Sequence, residues 1–432
     1  MNSPPLRRPL PTLWNAFNLT GSPFWQDTLE DESPSRPISL FVGRVTELEQ
    51  LLDVIRASSG GASRQAIAGH AGVGKTTLVK ALKARARLDG FMTINDFVPV
   101  QSDDTAEALF GRVLSLVYDT ILANRPMAAQ NKAMQDAQLL VRAARIGTGG
   151  ASLSILGLGV GLSRGVSLSA PRDMMLDGPR VLRDLMALVT SSDAHGLLLH
   201  INNLENLSDA DAAKAAVILR DVRDTMLMHA GLHSVIVGTT DAVQAVVNTY
   251  AQVRTVFSTL SLNPLPVRDV HALLDARYRH MRLHTNRALI QPVERATIDA
   301  LYTLFRGDLR GLLKALDDGV KPNIGLAGHV EGGHVRAIDA HDIRLTLQQR
   351  YADHLAAVPE RRRVEQLTAW GVHKPASTHT QQSLGALWRV TQGAVSNALA
   401  YLLRHGYITA LPRRRGQAVE YELSGVSRLI FG

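Results

Sequence analysis

Two runs in this chain are apolar at almost every position: Gly196-Leu197-Leu198-Leu199-His200-Ile201 and Ser234-Val235-Ile236-Val237-Gly238. Runs of this length without polar alternation fit strands covered on both faces. Gln65 to Ala68 and Phe91 to Val100 read as two further strands. Between the runs the spacing changes to the helical period. Leu48, Leu51, Leu52 and Ile55 form one apolar face after Phe41-Val42-Gly43-Arg44, with Thr46 as N-cap and Glu47 and Glu49 in the first turn. Thr77 to Leu82 reads as a helix, Thr105 to Ala123 as an amphipathic helix, and 124–146 as a further Ala-rich helical stretch. Strands alternating with helices predict an α/β fold. Its parallel sheet would carry helices on both faces and ligands at the carboxyl ends of the strands.

Residues 147–170 break that rhythm. Leu156, Leu158, Val160, Leu162, Val166 and Leu168 alternate with Gly, Ser or Arg, which is the period of a β-hairpin with one polar or glycine face. Such a hairpin either extends the sheet or projects toward a partner. From Pro264 to about Arg350 the pattern is helical, with a Gly/His-rich break from Gly325 to Gly333. Residues 1–36 are rich in Pro and Ser and carry Trp14, Phe17, Phe24 and Trp25. They read as an irregular arm whose aromatics pack on a neighbouring surface. The expected divisions are this arm, an α/β domain over 37–262, an α-helical lid over 263–350 and a C-terminal module over 351–432.

Within the last division, Thr380 to Trp388 reads as a short helix with Thr380 near its cap, and Thr391-Gln392-Gly393 as a turn. Ala394 to His405 is a second helix with Val395, Leu399, Leu402 and Leu403 facing inward. A strand starts at Gly406-Tyr407-Ile408, Arg413-Arg414-Arg415-Gly416 turns the chain, and Ala418 to Leu423 returns as a strand.

Charge sharpens this picture. The 432 residues carry a net charge of +8, and 359–432 holds ten Lys/Arg against four acids, so the tail supplies +6 of it. A local excess of this kind points to a polyanion partner. The length suggests roughly two to four domains. Absence of cysteine excludes disulfides and thiolate metal sites and favours a reducing, cytoplasmic setting. Met1 to Pro11 has no apolar core of a secretory signal, and Leu153 to Leu162 is too short and Gly-rich to span a bilayer, so no membrane partner is expected. The fifteen histidines show no recurring ligand spacing, and no nuclease, protease or methylase constellation stands out.

The chemistry concentrates at Gly69-His70-Ala71-Gly72-Val73-Gly74-Lys75-Thr76-Thr77, which fits G-x-x-x-x-G-K-[ST] without a gap. The glycines let backbone N–H groups wrap a polyphosphate. Lys75 can reach β- and γ-phosphates, and the Thr76 hydroxyl can hold Mg²⁺. The strand before the loop and the helix after it suit the motif, because the helix presents its positive end to the phosphates. ATP and Mg²⁺ are the expected ligands.

With these features the chain resembles the AAA+ ATPases, in particular the replication-initiator (origin-recognition) clade and the related signal-transducing STAND ATPases. The resemblance covers about Leu40 to Val320. It implies that Gly43 and Arg44 border the adenine, and that Gly69, Gly72, Val73, Gly74, Lys75, Thr76 and Thr77 hold the phosphates. It puts Gly196 to Glu205 at Walker B, Thr239 or Thr240 at sensor 1, Arg254 at an arginine finger and Arg310 of Gly307-Asp308-Leu309-Arg310 at sensor 2. Arg254 and Arg310 also have plain readings as surface or structural arginines. One departure stands out. Where the family carries acids, this chain has Asn202 and Asn203, with Glu205 as the only acid of the run. Asparagine accepts hydrogen bonds but cannot act as a base. Asn202 is then the candidate beside Thr76 for the metal, Asn203 and Glu205 are the candidates for polarising water, and slow hydrolysis is expected.

The C-terminal module resembles a winged helix-turn-helix. Gln392, Ser396 and Asn397 sit where base edges are reached, and Arg413, Arg414 and Arg415 can hold phosphates. The expected function is an ATPase that couples nucleotide state to binding of double-stranded DNA and to assembly as a homo-oligomer. The alternatives are a STAND-like switch, for example in phage defence, whose winged helix contacts a protein partner, and a regulator of DNA transposition.

Overall fold

A computed structural model of the protein describes residues 12–31, 33–147, 170–191, 193–202, 204, 207, 209–324, 330–331, 334–335, 337–356, 361–373, 377–411 and 418–432. The hairpin expected over Leu156 to Leu168 and the turn at Arg413-Arg414-Arg415 lie outside the described residues.

The first part of the chain runs α1 (Val45–Ala57), β1 (Arg64–Gly69), α2 (Lys75–Leu88), β2 (Met92–Thr93), β3 (Val98–Pro99), α3 (Ala106–Asn124), α4 (Lys132–Gly147) and α5 (Ala170–Thr190). It continues through β4 (Leu197–Asn202), α6 (Asp209–Asp221), β5 (Leu232–Gly238), α7 (Thr240–Val247), α8 (Ala251–Arg254) and β6 (Ser258–Leu262). The strands form one parallel sheet in the order β2-β4-β5-β1-β6, with β3 pairing further along β4. Alternate side chains enter two cores. Ile67, Leu198, Val235 and Val237 pack under α1 and α2, with Leu51, Leu52, Leu78 and Leu82. Ala66, Ala68, Leu199, Ile201 and Ile236 face the other way, toward Phe110, Leu114, Leu185 and Val243 of α3, α5 and α7. Both faces are therefore dry, which accounts for the unbroken apolar runs of β4 and β5.

Two expectations for this region change. The strand read from Phe91 to Val100 is split into β2 and β3. Between them the carbonyls of Asn95 and Asp96 turn away from the sheet to accept from Lys83 Nζ, at 3.2 and 2.8 Å. Thr46 does not cap α1. Gly43 and Arg44 both take left-handed backbone, φ 72° and 59°, and the helix starts two residues earlier, at Val45, with Arg44 in the cap position.

The helical segment that follows contains α9 (Val267–His280), α10 (Arg295–Leu304) and α11 (Leu309–Ile324), then the short pair β7 (Val330–Glu331) and β8 (His334–Val335), and α12 (Ala340–Ala356). The N-terminal arm lies on this segment. Trp14, Phe17, Leu19 and Phe24 share one core with Tyr278, Leu301, Leu312 and Leu316, and Phe24 meets Tyr278 edge-on at 6.4 Å. Asn18 is clasped by the 284–288 stretch: its Nδ2 donates to the His284 carbonyl and its Oδ1 accepts from His284 N–H, both at 2.9 Å.

The C-terminal part runs α13 (Arg361–His373), β9 (His379–Thr380), α14 (Gln381–Trp388), α15 (Gln392–Arg404), β10 (Ile408–Ala410), β11 (Glu420–Leu423) and α16 (Gly425–Phe431). Its strands form an antiparallel sheet ordered β10-β11-β9. Thr380 caps α14 by accepting from Ser383 N–H at 3.2 Å. The turn between the two helices is not Thr391-Gln392-Gly393. It sits at Arg389-Val390, where Arg389 takes φ 52° and Val390 N–H closes on the Gly385 carbonyl at 3.1 Å, so Gln392 and Gly393 already belong to α15. Val395, Leu399 and Leu402 face inward, whereas Leu403 falls on the exposed side.

Candidate functional site

The chain leaves β1 at Gly69, makes a tight loop and enters α2 at Lys75. Gly72 and Gly74 hold φ 79° and 94°, a region that a side chain disfavours by about 1–2 kcal/mol. Gly74 is the N-cap of α2 and offers no side-chain oxygen, so the first N–H groups of the helix point out unsatisfied by a cap. An added β-carbon on Gly74 would meet nothing within 4 Å, so the cradle is open. Lys75 is buried, and its Nζ donates to the carbonyls of Gly69 and His70, both at 2.9 Å. A polyphosphate fits this cradle, which holds bare N–H groups, a buried ammonium and the hydroxyls of Thr76 and Thr77 at one mouth.

The opposite wall of the cleft is built by distant segments. Leu40, Phe41 and Val42 line it ahead of α1, and Leu265, Leu273, Leu309 and Leu313 line it from the helical segment. This apolar end suits a flat ring. Thr239 closes the β5 side while capping α7, accepting from Ala242 N–H at 3.3 Å. Arg310, exposed at the start of α11, reaches the phosphate-loop end. Asp308 caps the same helix by accepting from Gly311 N–H at 3.0 Å, and its carboxylate lies so close to the loop that a β-carbon on Gly72 would overlap it. Burial raises the Asp308 carboxyl above the usual carboxylate range.

Arg44 lines the cleft but is spent on architecture. It is buried, pairs with Glu47 at 2.9 Å, and donates to the carbonyls of Val73, at 3.2 Å, and Asn263. It therefore ties the phosphate loop to the chain leaving β6. Gly43 and Gly69 shape the backbone without lining the cleft; Gly43 packs against Leu265.

Sequence reading placed the arm on a neighbouring surface but missed its place at the cleft. Gln26, Asp27, Thr28 and Leu29 line the cleft, and Arg277 from α9 holds them in place. Its guanidinium stacks on Trp25, 3.5 Å from the ring centroid, and donates to the carbonyls of Pro23 and Trp25 at 3.0 and 2.8 Å. Burial lowers Arg277 to about 9. On the other side Lys80 of α2 donates to Thr28 Oγ1 at 2.8 Å and Arg87 pairs with Asp31. The arm thus crosses the cleft from α9 to α2. Its aromatics were the one advance signal that it packs on a neighbour, and nothing in the sequence placed it at the cleft.

A family model of the AAA ATPase domain matches residues 40–229. Solved structures similar to the chain include the Aeropyrum pernix ORC2 protein in ADPNP and ADP complexes. It is 14% identical, with 94% of this chain and 95% of that one covered and a TM-score of 0.47. The Aeropyrum pernix ORC1 protein in complex with DNA is 15% identical over 90% of this chain and 92% of that one, with a TM-score of 0.43. Cdc6p from Pyrobaculum aerophilum is 14% identical over 93% and 98%, with a TM-score of 0.40. No curated protein matches the sequence.

Asn202 ends β4 and is buried outside the cleft lining, and its Oδ1 has no hydrogen-bond partner among the described residues. Asn203 and Glu205 lie outside the described residues. Arg254 is exposed at the end of α8 and does not line the cleft of its own chain. Among the described residues no cluster of three or more His, Asp or Glu could hold a metal, and no helix is long and apolar enough to cross a membrane.

On the C-terminal module, Gln392, Ser396 and Asn397 are exposed along one side of α15. Arg362 and Arg389 flank a shallow depression with Thr391 and Ala394 at the start of that helix. Arg413, Arg414 and Arg415 lie outside the described residues.

Proposed function

We propose that this protein is a nucleotide-controlled DNA-binding ATPase. The observation that carries the nucleotide half is the open Gly72–Gly74 cradle with buried Lys75, facing Arg310 across one cleft. ATP sits with its base at the apolar end and its phosphates on the loop. Lys75 Nζ exchanges the Gly69 and His70 carbonyls for phosphate oxygens, and Arg310 approaches the terminal phosphate. Mg²⁺, held with help from the Thr76 hydroxyl, supplies charge neutralisation. Arg254 serves a neighbouring copy in a homo-oligomer. With Asn202 and Asn203 where carboxylates stand in related ATPases, turnover is slow and nucleotide state acts as a switch.

The DNA half rests on the C-terminal module, read as a winged helix. The exposed polar side of α15 suits a major groove, Arg362 and Arg389 stand at its leading end, and the tail carries most of the net charge. The test is duplex binding across a salt series, for wild type and for a variant with alanine at Arg413, Arg414 and Arg415. If all three neutralise phosphates, the slope of log K against log salt flattens by about 2.7 units, at roughly 0.9 per contact. Equal slopes reject the wing as a DNA contact. Absence of duplex binding by wild type moves the reading to a switch whose winged helix meets a protein.

A further inference from the structure

Four consecutive residues, Phe305 to Asp308, touch two different bodies. Asp308 lies against Gly72 of the phosphate loop, where a β-carbon would overlap it. A β-carbon on Gly307 would overlap Pro264, two positions beyond the end of β6. The other two residues face the C-terminal module. Phe305 packs so closely on Gly425 that a β-carbon there would overlap its ring. Arg306 pairs with Glu422 of β11. Arg306 and Gly307 both take left-handed backbone, φ 52° and 81°, so the chain turns sharply between its two sets of contacts.

The pair is embedded in a larger charge group. Glu422 also faces Arg428 at 3.6 Å, and buried Arg428 donates from Nε to the Leu304 carbonyl at 2.7 Å. Burial lowers Arg428 to about 10, and Asp308 acts on it in the opposite sense. One carboxylate thus answers two arginines beside a second carboxylate that rests on the phosphate loop. A phosphate entering the loop brings negative charge next to Asp308 and draws on Arg310, two residues farther on. Moving Asp308 moves the turn, and the turn holds β11, one of the two strands that flank the Arg413 to Arg415 segment.

We infer that Arg306 and Glu422 form the mechanical and electrostatic link through which the nucleotide cleft sets the position of the C-terminal module. This rests on the proposed use of the cleft for nucleotide, and it names the residues that carry the regulation. Arg306 is a positioning residue: it touches no nucleotide and acts through Glu422.

The absence of cysteine makes a clean test available. Spin labels at Ala296→Cys on α10 and Ala400→Cys on α15, both exposed, report the distance between lid and module. Distances are compared with ADP and with a non-hydrolysable ATP analogue, and bound nucleotide is measured in the same samples. The expected result is a nucleotide-dependent shift on the order of 5 Å. It is lost in Arg306→Ala and in Glu422→Gln while nucleotide affinity stays within about twofold, a small part of the 5–150-fold range of allosteric couplings. Alanine retains the backbone burden of a non-glycine residue at position 306, so loss of the shift reports the side chain. A shift that survives both variants, or no shift in a wild-type protein that has bound both nucleotides, overturns the inference. Failure to bind nucleotide at all overturns the proposed function first and the inference with it.

Discussion

Asp308 holds its carboxylate where a side chain on Gly72 would have to go. The helical segment therefore meets the phosphate loop through an acid that also caps its own helix, and the loop tolerates that acid because Gly72 has no β-carbon. Gly72→Ala suffers twice, from the left-handed backbone and from the overlap. The backbone alone costs about 1–2 kcal/mol, or roughly tenfold in ATP affinity. Calorimetric titration is expected to show a loss of at least this size, with the melting temperature lowered by a few degrees. Wild-type affinity in the variant would show that loop and lid do not meet in this way.

The second prediction concerns turnover. The resemblance to AAA+ ATPases puts Asn203 where a base is expected, and an amide cannot take a proton. Asn203→Asp is expected to raise steady-state phosphate release by about 10²–10⁴-fold if the side chain is positioned for general-base work. ATP affinity should change little. A fast wild-type enzyme, insensitive also to Glu205→Gln, would place the base elsewhere.

A third expectation follows from the strap formed by the arm. Arg277 donates to two arm carbonyls and stacks on Trp25. Hydrogen bonds from a charged group contribute about 1.5–3 kcal/mol. Arg277→Ala should therefore release the arm and speed dissociation of a fluorescent ATP analogue by at least tenfold in stopped flow. An unchanged rate would mean that the arm borders the cleft without closing it.

Lys83 gives the protein a pH dependence. Burial lowers its ammonium to about 7, against an ordinary 10.5, and it sits near His200, which burial holds well below its usual range. Between about 7 and 10.5 the unfolded chain carries this proton and the folded protein has released it. Stability contributed by Lys83 accordingly rises with pH across that window, and the cost of burying the charge is fully present below it. Urea denaturation at pH 7 and pH 9.5 should show a larger unfolding free energy at the higher pH, and Lys83→Met should shrink that difference. An equal difference in both proteins would show that Lys83 keeps its proton.

Much of the sheet was legible because both of its faces are covered, so β4 and β5 read as unbroken apolar runs. Thr105 and Thr380 announce their helices, since a threonine ahead of an apolar period has few better uses than accepting an N–H of the first turn. The loop glycines announce their backbone. What stayed hidden depends on partners far away in sequence. The break between β2 and β3 follows from Lys83, a helix residue whose ammonium takes the carbonyls of Asn95 and Asp96. The early start of α1 follows from Arg44 reaching Val73 and Asn263. The arm has no periodicity at all, and its place over the cleft is decided by Arg277, some 250 positions later.

That distance along the chain has a consequence for biogenesis. Asn18 and His284 are separated by 266 positions, so on the ribosome the arm is made well before its seat. At roughly 5–20 residues per second the arm waits from about ten seconds to a minute before its partner emerges. During that interval Trp14, Phe17 and Phe24 have no core to enter, while the phosphate loop and α2 have already been synthesised. The newborn protein is thus sticky along the arm, and its cleft acquires a floor before it acquires a strap. On the proposed function, a nucleotide captured in that interval would be locked in as the arm's seat arrives.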